Sequence, residues 1–117
     1  MAYFSFENLE VWKRSCRLAV RVYESLADCR DYGLKDQMTR AAVSIPSNIA
    51  EGAERDSRAE YMRFLHIAKG SAAELSTQIY IALIAVEAVN ELITEVKEIS
   101  AMLQGLTQAV KIKKAET

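Results

Sequence analysis

Histidine and proline each occur once in this sequence, cysteine twice and glycine four times. Each scarcity excludes something. A di-iron carboxylate centre needs a Glu-x-x-His pair on each of two helices, whereas the only histidine, His66, has Arg63 three residues before it. The same count removes Ser/His/Asp and Cys/His triads in their usual form. No cysteine or second histidine stands at ligand spacing from His66, so no metal is expected and His66 reads as a surface or packing residue. The glycines are scattered and form neither a phosphate loop nor a dinucleotide fingerprint. The expectation is a protein that is not an enzyme and uses no cofactor.

Cys16 and Cys29 stand thirteen residues apart on what reads as one helix. At 1.5 Å per residue that is about 20 Å, far beyond the roughly 7 Å a disulfide spans, so both are expected reduced. No uncharged apolar run is long enough to cross a membrane. The opening Met1 to Glu7 lacks the basic and apolar regions of a signal peptide, so the expected location is the cytoplasm, with no membrane partner. Fifteen basic residues against sixteen acidic ones leave a net charge of −1. Bulk charge therefore favours neither nucleic acid nor anionic lipid, and only local patches remain for such a role.

What the sequence has in abundance is helix-forming pattern, which predicts one domain over residues 1–117 built of long helices with short connections. Helix 1 is predicted from Asn8 to Asp28, capped by Asn8 or Ser5, with Tyr3, Phe4 and Phe6 leading in. Its seam, Leu9, Trp12, Cys16, Ala19, Tyr23 and Leu26, has bundle spacing. A turn from Cys29 to Gly33 leads to helix 2 from Leu34, whose apolar positions Leu34, Met38, Ala41, Ala42, Ile45, Ile49 and Gly52 keep helical spacing through Pro46. That predicts one helix kinked at Pro46, which removes an amide donor and frees the Ala42 carbonyl. The alternative is a break at Ile45, with Pro46 opening a second short helix.

Gly52 begins the exit, and Ser57-Arg58-Ala59-Glu60 forms a capping box for helix 3. Helix 3 is predicted from Ser57 to Val89, with a seam of Tyr61, Leu65, Ala68, Ala72, Leu75, Ile79, Ala82 and Val86. Its cluster Ala68, Gly70, Ser71, Ala72 and Ala73 lacks bulk and invites a close neighbour. Asn90 caps helix 4, whose seam is Leu92, Val96, Ile99, Leu103, Leu106 and Val110. Lys111, Lys113 and Lys114 place positive charge at its C-terminus, where the dipole favours it. Four amphipathic helices with short connections make an all-α, antiparallel up-and-down four-helix bundle.

Two sets of polar residues are not required by amphipathicity. Gln37, Arg40, Ser44, Ser47, Asn48 and Glu51 share one face of helix 2, and Ser71, Glu74 and Gln78 form a second ladder on helix 3. They fit three roles: a hydrogen-bonded network within the chain, with Arg40 pairing Glu74 or Glu51; a subunit interface; or a small-molecule site. On helix 1, Lys13, Arg14, Arg17 and Arg21 form a basic stripe with no acid between them, and Arg55, Arg58 and Arg63 add a second cluster. These seven are the candidate phosphate contacts, against the plainer reading of a solvated face or ion pairs with another helix. Residues 71–110 carry five glutamates against Lys97 alone, which argues against wholesale wrapping by nucleic acid.

Three stretches resemble a known family: Phe6-x-x-Leu9-x-Val11-Trp12, the run from Tyr32-Gly33-Leu34 through Gln37, Arg40 and Ser44-Ile45-Pro46-Ser47-Asn48-Ile49-Ala50-Glu51-Gly52, and Ala68-x-Gly70-Ser71-x-x-Glu74-Leu75. The chain is similar to the four-helix-bundle proteins of bacterial 23S ribosomal RNA intervening sequences. The resemblance implies a bundle with a kinked second helix that assembles as a ring-shaped homo-oligomer, a pentamer, with no established enzymatic activity. A similar fold serves the accessory variability proteins of diversity-generating retroelements, which are basic and bind nucleic acid and a reverse transcriptase. From this follows the expectation of a non-enzymatic oligomer that binds RNA or a nucleic-acid-handling partner. The alternative is a protein–protein interaction scaffold with no nucleic-acid binding.

Overall fold

The caps and apolar spacing of the chain resolve into four helices in a computed structural model that describes residues 5–82 and 86–115. They are α1 (Glu10–Ser25), α2 (Tyr32–Ala53), α3 (Arg58–Ile81) and α4 (Val86–Ala115), with a 3-10 turn at Phe6–Asn8 before α1. Among the described residues there is no strand. Each helix packs against its chain neighbours and α4 closes on α1, giving an up-and-down four-helix bundle 50 × 20 × 19 Å in extent. Leu18, Val22, Met38, Ile45, Ile49, Leu65, Leu75, Ile79, Ile99 and Leu103 line its axis and are fully buried. Each is worth roughly 1.5–3 kcal/mol relative to exposure. Tyr3, Phe4, the predicted passage of helix 3 through residues 83–85, and the side chains of Lys113 and Lys114 lie outside the described residues.

Helix α1 is shorter than its pattern predicts, and its core stripe is rotated. Ser5 caps the 3-10 turn, its hydroxyl accepting from the Glu7 amide at 3.1 Å, while Leu9 precedes α1 without a side-chain bond. Cys29 falls in the turn beyond α1, so the two cysteines do not share a helix; both are free thiols. The buried stripe is Val11, Ser15, Leu18 and Val22, with Ala19 and Leu26 shared with the predicted seam. Tyr23, predicted inward, is 52% exposed. Ser15 can occupy a core position because its hydroxyl donates to the Val11 carbonyl at 2.6 Å, leaving no buried donor unmet. Trp12 stays on the flank, where the Phe6 ring meets it edge-on with centroids 5.3 Å apart.

Helix α2 starts two residues before its predicted boundary. The Asp31 carboxylate accepts from the Leu34 amide at 3.1 Å, which places Gly33 inside the first turn with no positive φ. The helix then runs without a break through Pro46 to Ala53, so the two-helix alternative does not form. Gly52, predicted on the apolar face and at the exit of helix 2, stands one residue before the end of α2 and is buried. A Cβ there would lie 2.7 Å from Phe64 Cβ and 3.3 Å from the Tyr61 carbonyl oxygen, so α2 and α3 are in close contact at this end. In the small-residue cluster of α3, Ala68 and Ala72 are fully buried and Ser71 meets Ser44 of α2, whereas Gly70 faces open space.

The boundary between the last two helices also moves. Ser57 does cap α3, accepting from the Glu60 amide at 3.1 Å, but the Glu60 carboxylate takes Arg63 rather than reaching back. Helix α3 ends at Ile81, and α4 begins at Val86, which is 74% exposed rather than part of a helix 3 core. Asn90 therefore sits in the second turn of α4 and caps nothing. Residues 82–85 read Ala-Leu-Ile-Ala, with no glycine, proline or capping side chain, so nothing in the sequence marks the boundary between α3 and α4. The α4 seam follows expectation at Leu92, Val96, Ile99, Leu103 and Val110, with Leu106 only partly buried and Ile93 and Thr107 added.

Candidate functional site: a polar lock, a neutralised basic face and a turn groove

Between α2 and α3 three predicted residues come together. Asn48 Nδ2 donates to the Ser44 carbonyl at 2.8 Å and to Ser44 Oγ at 2.9 Å, and Ser44 Oγ lies 2.8 Å from Ser71 Oγ. Having accepted from Asn48, the Ser44 hydroxyl has its proton available for Ser71. This half-buried chain ties the two helices in register, each bond contributing about 0.5–1.5 kcal/mol. Further along, Gln78 Nε2 donates to Glu74 Oε1 at 3.3 Å, and the buried Gln78 Oε1 finds no partner among the described residues. Gln37, Arg40, Ser47 and Glu51 are exposed. Arg40 pairs with Asp36 at 2.9 Å, one turn back on its own helix, and not with Glu74 or Glu51; Glu51 takes Arg55 at 2.8 Å. The ladder thus splits into an internal lock and a set of surface pairs, because one helical face cannot be both seam and solvent at every turn.

The basic stripe of α1 meets an acidic column on α4. Arg14 forks onto Glu95 and Glu98, its Nε donating to Glu95 Oε2 at 3.1 Å. Arg21 pairs with Glu91 at 3.5 Å, and Arg17 with Glu10 on its own helix at 3.3 Å. Lys13 is exposed. In the second cluster Arg63 pairs with Glu60 at 2.9 Å, and the guanidinium groups of Arg55 and Arg63 sit 4.7 and 5.0 Å from the Phe64 ring centroid. Arg58 is engaged as well. Exposed pairs of this kind contribute about 0–1 kcal/mol each. Their larger effect is that most of the candidate phosphate contacts already hold a carboxylate.

The Arg14 hydrogen bond, reinforced by its charge, holds the Glu95 carboxyl below the usual carboxylate range against the opposing effect of burial. A carboxyl whose folded pKa is lowered contributes stability in full above its unfolded value, about 4.3, and loses it as pH falls through the lowered folded value. Glu95→Gln is therefore expected to reduce urea stability at neutral pH and to converge with wild type in acid. Equal offsets across a series from pH 7 to pH 2 would contradict this. Burial pushes the Cys16 thiol up, with Arg17 opposing, so this cysteine is a poor nucleophile at neutral pH.

One group was not among the sequence candidates. The turn between α1 and α2 forms a groove of about 440 Å³ lined by Ala27, Asp28, Cys29, Arg30, Tyr32 and Lys35. Arg30 and Lys35 form no ion pair among the described residues. Their signal in the sequence was weak, because one lies in a turn and the other at a helix start, outside any periodic stripe.

Polar side chains that join helices and arginines that are mostly ion-paired sit here on an all-α, up-and-down four-helix bundle, and that is the class of protein the fold defines. No cluster of three His, Cys, Asp or Glu able to hold a metal occurs among the described residues, and no described helix is long and apolar enough to cross a membrane. The family model described as 23S rRNA-intervening sequence protein matches residues 7–105, and the chain belongs to that family. Among solved structures, a protein of unknown function from the S23 ribosomal protein family of Bacteroides thetaiotaomicron is similar. It is 26% identical with a TM-score of 0.77, over 83% of this chain and 97% of that one. No curated protein matches.

Proposed function

We propose that the protein works as a non-enzymatic homo-oligomer in the cytoplasm, a helical bundle that acts by association rather than by chemistry. The observation that carries this reading is the exposure of large apolar side chains on the outer sides of adjacent helices. Val20 and Tyr23, one turn apart on α1, are 58% and 52% exposed, and Val43 on α2 is 41% exposed. Neighbouring exposed apolar groups of this size favour burial against a partner. A second copy supplies one at no cost in specificity, and the pentameric ring implied by the family resemblance is the stoichiometry proposed.

Light scattering of the intact protein tests it. The expected mass is five times the 13.1 kDa chain, and Val20→Asp with Tyr23→Glu is expected to lower it while helical circular dichroism is unchanged. A monomer at every concentration would overturn the reading.

Nucleic-acid binding, direct or through a nucleic-acid-handling protein, is the second reading. Because Arg14, Arg17, Arg21, Arg55 and Arg63 are ion-paired, it draws support from the turn groove rather than from the α1 stripe.

A further inference from the structure

We infer that the groove at the α1–α2 turn is a contact site for single-stranded RNA, with Arg30 and Lys35 holding a phosphate and the ring of Tyr32 stacking a base. The first observation is the state of the cations. Most arginines on the helix faces already pair with glutamates, whereas Arg30 and Lys35 carry no ion pair among the described residues and line the same groove. The second is Tyr32, the first residue of α2, which lies on the same groove with 72% of its surface exposed. A protruding aromatic ring beside two available cations is the pairing that single strands need, because every base has a stacking face and every linkage a charge.

The third observation is space and polarity. Gly33 follows the ring, and a Cβ there would meet only Asp31 Oδ1, at 3.8 Å, so a ligand backbone can come close. Asp28 also lines the groove; it is an acceptor only, which repels a second phosphate and suits a 2′-hydroxyl or an exocyclic amine. Asp31 accepts from the Leu34 amide as the cap of α2 and keeps its negative charge, so the phosphate position belongs with Arg30 and Lys35 rather than with the helix end.

This inference deepens the nucleic-acid reading and is independent of self-association. Fluorescence anisotropy with a labelled oligouridylate of about ten nucleotides, titrated from low to moderate salt, tests it. Tyr32→Ala is expected to weaken binding about tenfold, and Tyr32→Phe to restore it, the range stacking provides. Arg30→Gln with Lys35→Gln is expected to lower the slope of log affinity against log salt by about 0.7, the value for the one phosphate contact they share on a single strand. Arg17→Gln, at an ion-paired position, is expected to leave both unchanged. Scattering masses of the same variants should match wild type, which separates a lost RNA contact from lost assembly. Absence of wild-type binding at low salt, equal binding by Tyr32→Ala, or equal affinity for a duplex of the same sequence would each overturn it.

Discussion

Replacing Gly52 with alanine is expected to destabilise the bundle by about 1–3 kcal/mol, the usual cost of forcing extra volume into a packed core. In isolation the change should help, since alanine is favoured over glycine in a helix by about 0.8–1 kcal/mol. Packing decides the sign. The new methyl carbon would stand 2.7 Å from Phe64 Cβ, 3.2 Å from Tyr61 Cδ1 and 3.3 Å from the Tyr61 carbonyl. Two of these atoms are backbone or adjoin it, so no side-chain rotation relieves the clash. The helices must move apart. Further along the same pair of helices lies the Ser44–Ser71 bond at 2.8 Å, which separation would stretch. Gly70→Ala and Gly105→Ala serve as controls, because neither new Cβ would meet an atom within 4 Å. Both are expected to stabilise by about the helix-propensity difference. Urea midpoints of the three variants at one fixed protein concentration check the ordering, and a Gly52→Ala protein as stable as wild type would contradict the close approach.

That contrast marks what local pattern can report. Helical periodicity, read at about 100° per residue, was legible for Met38, Ile45 and Ile49 on α2, Leu65 to Ile79 on α3 and Leu92 to Val110 on α4, so the four-helix bundle followed directly. A helix boundary was legible where a capping side chain marks it, as Ser57 does, and illegible after Ile81, where the sequence supplies none. Pairing across helices was the least legible. Arg14 and Glu95 are 81 residues apart, and nothing in the spacing of either stripe says that α1 and α4 lie side by side with their charges opposed. The close approach at Gly52 was hidden for the same reason: a glycine at a helix end reads as a terminus until the neighbour that crowds it is known. Within the polar ladder, Ser44, Asn48 and Ser71 come together in one hydrogen-bonded chain. Their partners depended on which turns of α2 face α3.

The largest difference between two neighbouring substitutions is expected on α1, where the observed stripe departs from the predicted seam. Leu18 is fully buried and sits between Val11 and Val22 on the inward side. Its replacement by alanine removes buried methyl groups and leaves a cavity, at a cost of about 2–5 kcal/mol. Tyr23, the predicted core residue, is 52% exposed, so Tyr23→Ala is expected to change monomer-level stability by no more than about 0.5 kcal/mol. Its effect belongs in the oligomer mass instead. The two seams differ because α1 supports either one at bundle spacing: Leu9, Trp12, Cys16 and Tyr23 carry the larger aromatic surface, while Val11, Leu18 and Val22 are aliphatic and interleaved with Ser15. Hydrophobic size favoured the first. The structure buries the second, with Val11, Leu18 and Val22 inward, Trp12 partly buried and Tyr23 exposed. Denaturant titrations of Leu18→Ala and Tyr23→Ala at equal concentration separate the alternatives. A Tyr23→Ala loss as large as that of Leu18→Ala would place the tyrosine back in the core and undo the rotation of α1.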